Sequence, residues 1–256
     1  VTTDPESAGA RTRVKICGIT SIDDARRAAG GGAWAIGMIM WKASPRYVRP
    51  QAAAQIVDDV GRSVETVGVF VDQPLDEVVS LTNEIGLGLV QLHGDEGQKF
   101  CNAVAQRTGA RVIKAFRVRD RSVLSEMGKF HDVDYHLLDS YKAGVPGGTG
   151  QTFDWTFLRS TPRRARTPLI LSGGLGPDNV AAAIESVGPW AVDVSSGVER
   201  SPGVKDAAKL AAFFAAVEGA RSPRRAGPDG PLTGAEDEVL TLQYARRELE
   251  ERGGGS

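Results

Sequence analysis

The chain has 256 residues, 41% hydrophobic and 25% charged, with a formal net charge of -1. That length holds one large α/β domain or two smaller ones, and the near-neutral balance leaves no global basic field for nucleic acid. No apolar run reaches the roughly 18 residues of a membrane helix, and two cysteines far apart in sequence make no disulfide framework, so reduced thiols in a cytoplasmic setting are expected.

Residues 1–12, VTTDPESAGART, are polar and contain acids, and read as a flexible arm rather than a signal peptide. From residue 13 to about residue 219, short apolar, β-branched runs alternate with stretches of helical period. In chain order the predicted strands are Val14–Cys17, Trp34–Met40, Thr66–Val71, Leu89–Leu92, Arg111–Phe116, Tyr135–Asp139, Leu169–Leu171 and Trp190–Val194. A helix-start signal follows each strand: Ser21 ahead of Asp23 and Asp24, then Pro50, Pro74, Asp95-Glu96, Ser122, Asp154, Pro177-Asp178 and Lys205-Asp206.

Strands that alternate with helices pair in parallel through right-handed crossovers. Eight such units predict a closed (β/α)8 TIM barrel as a single domain. An open doubly wound sheet is the rival, and Gly18-Ile19-Thr20 lacks the glycine fingerprint it would carry after its first strand. Residues 220–256 read as an appended tail with one amphipathic helix and a GGGS end of linker character.

In a barrel the C-terminal ends of the strands converge on one face, where sites form. Cys17, Arg46, Asp72, His93, Asp139, Ser172 and Ser195 all fall at or just beyond such ends. Cys17 is either a packed thiol or a base whose pKa cations would lower; Cys101, on a helix, fits packing better. Arg46, in Ser44-Pro45-Arg46, carries a forked donor suited to a carboxylate. Asp139, at the partly desolvated rim, is a candidate general acid or a loop anchor.

His93 reads as a polar wall of the pocket. No HxxxH, CxxC or carboxylate cluster accompanies His93, His131 or His136, so no metal is expected. Ser172-Gly173-Gly174 and Ser195-Ser196-Gly197, after strands seven and eight, are paired candidates for a phosphate grip by backbone N–H groups. Gly147-Gly148-Thr149-Gly150, after strand six, is a lid or a further phosphate contact.

Taken together, Lys15-Ile16-Cys17-Gly18, Ser44-Pro45-Arg46, Gln91-Leu92-His93-Gly94-Asp95-Glu96, Leu138-Asp139, Gly147-Gly148-Thr149-Gly150, Ser172-Gly173-Gly174-Leu175 and Val192-Asp193-Val194-Ser195-Ser196-Gly197-Val198-Glu199 resemble the phosphoribosylanthranilate isomerases, in order, from about Lys15 to Asp206. The resemblance implies a cofactor-free Amadori isomerisation in tryptophan biosynthesis. N-(5-phosphoribosyl)anthranilate would become 1-(2-carboxyphenylamino)-1-deoxyribulose 5-phosphate.

On that resemblance Cys17 is the base and Asp139 the acid, Arg46 holds the anthranilate carboxylate, and the Gly173-Gly174 and Ser195-Ser196-Gly197 backbones hold the phosphate. His93, Gly148, Ser172 and Asp193 complete the substrate-binding set. The implied partner is a small phosphosugar, with no nucleic acid and no membrane. The implied assembly is a monomer or homodimer, and the tail leaves room for association with, or fusion to, another tryptophan-pathway enzyme. The run Met38-Ile39-Met40-Trp41 departs from the more aromatic stretch usual there. Two rivals are the related histidine-pathway isomerase, which uses an aspartate where Cys17 stands, and a non-catalytic phosphosugar-binding barrel.

Overall fold

The structure, a computed structural model, describes residues 11–139 and 167–220. Most of the N-terminal arm, the Gly147–Gly150 cluster with Gly148, the Asp154 helix signal and the tail from Arg221 lie outside the described residues.

The strands are β1 (Arg13–Cys17), β2 (Ala35–Ile39), β3 (Glu65–Phe70), β4 (Leu89–Leu92), β5 (Arg111–Arg117), β6 (Tyr135–Asp139), β7 (Leu169–Ser172) and β8 (Ala191–Val194). They close in sequence order into one parallel barrel, with β1 paired to both β2 and β8. Between or after them lie α1 (Ile22–Gly30), α2 (Pro50–Val60), α3 (Leu75–Ile85), α4 (Gln98–Thr108), α5 (Val123–Met127), α6 (Val180–Val187) and α7 (Ala207–Gly219). This is the (β/α)8 architecture that the alternating pattern predicts. No described helix is long and apolar enough to cross a membrane.

Local chemistry explains the helix ends. Ser21 caps α1 by accepting the Asp24 N–H, with Asp23 and Asp24 in the first turn. Pro50 opens α2, where its missing N–H has no helical partner to lose. Asp206 caps α7 through the N–H groups of Ala208 and Lys209. Asp95 and Glu96 do not open α4, which starts at Gln98. Glu96 is buried instead, where it accepts the N–H groups of Asp72 and Gly94 and pairs with Lys114 at 3.0 Å. A short antiparallel hairpin, β9 (Glu199–Ser201) with β10 (Val204–Lys205), follows β8 and was not foreseen.

The period-two alternation of the strands builds two cores. Outward residues such as Val14, Ile16, Phe70, Leu92, Leu138 and Val192 pack under the helices. Inward residues Ala35, Val67, Leu89, Ile113, Leu137, Ile170 and Ala191 fill the barrel itself. The rings of Trp34, Tyr135 and Trp190 stack at 4.8–5.3 Å near the strand N-termini. Toward the C-terminal ends the interior positions turn polar, and the site is built there.

Candidate active site

Cys17 is the last residue of β1 and pairs in register with Gly37 of β2. A methyl group on Gly37 would lie 2.9 Å from Cys17 Sγ and 3.1 Å from Lys15 Nζ, so the missing side chain makes room for both. Cys17 is only 7% exposed. Burial pushes it above its ordinary value, against Lys15 and Lys205, which pull it down. The cations that sequence reasoning invoked are therefore present, but burial outweighs them.

Lys15 lies two residues before Cys17, on the same strand face. Its ammonium group, fully buried, meets Asp193 Oδ1 at 2.9 Å. Burial would lower this lysine; Asp193 and Cys17 overcome that and raise it, so the group stays charged. Ser172 donates to the other carboxylate oxygen of Asp193 at 3.1 Å. Asp193, expected to touch substrate, is thus engaged by Lys15 and Ser172 below the rim.

Asp139 ends β6 and is in register with Ser172 of β7. His93, just beyond β4, places Nε2 3.2 Å from Asp139 Oδ2. Gln91 Nε2 lies 3.0 Å from the other ring nitrogen, Nδ1. Where Gln91 Nε2 is the donor, Nδ1 accepts and the ring proton falls on Nε2, on the side of Asp139. His93 is therefore a hydrogen-bond partner of Asp139 rather than only a pocket wall.

Arg46 reaches across from the β2–α2 loop to Glu199, with Nε to Oε1 at 2.9 Å and Nη2 to Oε2 at 2.7 Å. Glu199 also takes Lys205 Nζ at 2.9 Å, and Lys205 bonds the carbonyl oxygens of Cys17, at 2.6 Å, and Ser195, at 3.2 Å. Burial would raise the Glu199 carboxyl, but these two cations hold it below the usual carboxylate range. Gly18, at φ +74°, makes this possible. A side chain there would lie 2.8 Å from Arg46 Cδ and 2.8 Å from Ser195 Oγ.

Gly173 (φ +94°) and Gly174 (φ +65°) follow β7 in the left-handed region that favours glycine. Asn179 pins their loop by accepting the Gly176 N–H and donating to the Gly174 carbonyl. A methyl on Gly197 would collide with the Leu175 carbonyl oxygen, so the loops after β7 and β8 lie backbone against backbone. Ser196 is exposed and Ser195 half-buried, and the Ser195 hydroxyl has no hydrogen-bond partner among the described residues. Such paired glycine loops can direct N–H groups at an anion.

Asp72, another of the expected rim residues, serves the structure of the loops. It accepts the Asp95 N–H at 2.6 Å and so ties the loops after β3 and β4. Cys101 is 1% exposed, and burial pushes its thiol to about 11, which fits packing. Among the described residues no group of three or more His, Cys, Asp or Glu could hold a metal. Sequence reasoning missed Lys15, Gln91, Glu199 and Lys205 as parts of the site. Strand alternation carried a signal for the first two, since they share a face with Cys17 and His93.

A family profile described as N-(5′phosphoribosyl)anthranilate (PRA) isomerase matches residues 14–216. The N-(5′-phosphoribosyl)anthranilate isomerase of Geobacter sulfurreducens is 48% identical over 207 residues, covering 81% of this chain and 98% of that protein. The crystal structure of phosphoribosyl anthranilate isomerase from Thermotoga maritima superposes with a TM-score of 0.75 at 39% identity, over 81% of this chain and 99% of that one. A further structure of the isomerase, in complex with reduced 1-(o-carboxyphenylamino)-1-deoxyribulose 5-phosphate, gives a TM-score of 0.72 at 38% identity, over 81% and 99% of the two chains.

Proposed function

The chain belongs to the N-(5′-phosphoribosyl)anthranilate isomerase family, and from that premise we propose how its barrel rim converts the phosphoribosylated anthranilate of tryptophan biosynthesis, an aminoaldose, into the corresponding aminoketose. Asp139, as the acid, gives a proton to the furanose ring oxygen. The C1′–O bond breaks as the anthranilate nitrogen supplies electrons, leaving a protonated Schiff base. The Cys17 thiolate takes the proton from C2′, and those electrons neutralise the imine to give an enolamine. The C2′ hydroxyl then gives up its proton as C1′ gains one, which yields the ketone. The iminium acidifies C2′, so one well-placed base suffices.

Around these two groups the other residues position the substrate. Arg46, held along its Nε–Nη2 edge by Glu199, takes the anthranilate carboxylate in this reading. The Gly173-Gly174 and Ser195-Ser196-Gly197 backbones, pressed together after β7 and β8, take the phosphate, with Ser172 beside them. Gly148 belongs to this set by resemblance alone. The His93 N–H steadies the carboxylate that Asp139 becomes after giving up its proton.

The observation that carries this reading is the path joining acid to base. Asp139 lies in register with Ser172, Ser172 bonds Asp193, Asp193 bonds Lys15, and Lys15 adjoins Cys17. Both groups thus stand at the same end of the barrel, across β6, β7, β8 and β1. In keeping with a reducing compartment such as the cytoplasm, both cysteines are free thiols. For assembly the reading is a monomer or a homodimer; the T. maritima relative is dimeric and has been obtained as monomers.

The test is to add the purified protein to freshly generated N-(5′-phosphoribosyl)anthranilate and follow the loss of its fluorescence. Conversion to the carboxyphenylamino ketose, identified by mass and chromatography, is expected. No turnover of that compound, or turnover only of the histidine-pathway aminoaldose, would overturn the reading.

A further inference from the structure

The Lys15 ammonium takes no step in the reaction above, yet it is fully buried. A charge so placed is costly unless it is paired and hydrogen-bonded. Asp193 pairs with it at 2.9 Å, and Ser172 in turn holds Asp193. A pair serving stability alone could be replaced by apolar residues of similar volume. Here its geometry is specific: the ammonium and the Cys17 thiol share one notch, left open by the absent side chain of Gly37, whose Cβ would lie 3.1 Å from Lys15 Nζ and 2.9 Å from Cys17 Sγ.

We propose that Lys15 is a positioning residue for Cys17, and that its ammonium, anchored by Asp193, governs how readily the thiol gives up its proton. The proposal rests on the reading of Cys17 as the base. Among the described residues the charged groups around the thiol are few. From β1 comes Lys15 and from β8 Asp193. From the β9–β10 hairpin comes Lys205, whose Nζ bonds the Cys17 carbonyl. Arg46 and Glu199 lie beyond, already joined to each other.

Lys15 and Lys205 favour the thiolate, while Asp193 and burial oppose it. A thiol raised by burial is a stronger base but a scarcer one. Lys15 restores part of the lost thiolate without exposing the thiol to water.

The test is the pH dependence of Cys17 alkylation by iodoacetamide, read on the Cys17 peptide by mass spectrometry, together with the pH profile of kcat/KM. Three variants give a signed series. Asp193→Asn frees the lysine charge and moves the alkylation curve to lower pH. Lys15→Met moves it to higher pH, and alkylation at about pH 8 slows roughly tenfold if the midpoint rises by about one on the pH scale. The double variant Lys15→Met with Asp193→Asn leaves no unpaired buried charge, so it guards against simple misfolding. Its midpoint lies above that of the wild-type protein but below that of Lys15→Met alone.

The acid limb of kcat/KM moves with alkylation in each variant. An unchanged alkylation midpoint in Lys15→Met or in the double variant would overturn the proposal. The base reading fails separately, if Cys17→Ala keeps normal turnover, because alkylation reports the thiol whatever the catalyst.

Discussion

His93 Nε2 stands 3.2 Å from Asp139 Oδ2, while Gln91 engages the other ring nitrogen, so one imidazole links a buried strand amide to the carboxyl at the rim. On the proposed reading of Asp139 as the acid, His93 acts on it as a neighbour rather than in its place. Asp139→Asn keeps the shape but loses the proton, and kcat is expected to fall by about 10²–10⁴-fold. His93→Gln should lower kcat less. Stopped-flow fluorescence under single-turnover conditions separates these effects from binding. Cys17→Ala should match Asp139→Asn in kcat while phosphate-ligand affinity stays near that of the unaltered protein.

Arg46 and Glu199 should behave as one unit. Arg46→Ala removes the fork that Glu199 holds, and KM is expected to rise by roughly 30-fold or more, at about 1.4 kcal/mol per tenfold. Arg46→Lys should not restore it, because an ammonium group cannot reproduce the paired N–H bonds to Glu199 that orient the side chain. Glu199→Gln should move KM in the same direction. Steady-state kinetics on all three variants would show it, and an unchanged KM in Arg46→Ala would remove the carboxylate contact from the scheme.

Gly37→Ala tests the notch. The added methyl would sit 2.9 Å from Cys17 Sγ and 3.1 Å from Lys15 Nζ. Crowding of this kind typically costs about 1–3 kcal/mol, small enough for the barrel to remain folded. Turnover should drop at least about tenfold, since proton transfer is sensitive to displacements of an ångström or less. Circular dichroism and kcat measured together would separate a local effect from unfolding.

Lys114 and Glu96 test the loop tie. Their side chains are each 3% exposed and 3.0 Å apart. Lys114→Met leaves the Glu96 carboxylate buried beside only two N–H donors, from Asp72 and Gly94. Breaking such a pair costs about 3 kcal/mol, or roughly 6–12 °C in Tm for a domain of this size. Adding Glu96→Gln should recover part of the loss, and differential scanning calorimetry would measure both.

His136 gives a pH signature. Its ring bonds the Phe130 carbonyl at 2.7 Å and packs edge-on against Phe116. Burial lowers it below its ordinary 6.5 in spite of that hydrogen bond. The unfolded chain therefore takes up this proton at a higher pH than the folded one. The stabilisation is complete above about pH 6.5 and is lost as pH falls toward the lower folded value. Tm should decline between about pH 7 and pH 5, and His136→Phe should show a shallower decline.

The eight strands were legible because each is a short β-branched run bounded by turn or cap signals. Leu89–Leu92 and Tyr135–Asp139 match residue for residue, and no other strand end differs by more than one residue. The Asp95-Glu96 signal misled. An acid pair before a helix reads as a helix start, but Glu96 has a nearer use in the two backbone N–H groups and Lys114 that the β3 and β4 ends bring to it. The β9–β10 hairpin escaped notice because Arg200, Ser201 and Gly203 carry no strand signal. What holds it is Lys205, reaching Glu199 and the ends of β1 and β8.

Local pattern alone, then, settled the barrel, the rim positions of Cys17, Arg46 and Asp139, and the two glycine loops, because strand period, capping chemistry and backbone permissiveness act over a few neighbouring residues. The charge pairings were decided only by tertiary structure. Lys15 meets Asp193 across 178 residues of chain, and Arg46 meets Glu199 across 153. Barrel closure, which lays β1 against β8, is what brings those partners within hydrogen-bond reach, and burial there makes an unpaired charge too costly to keep.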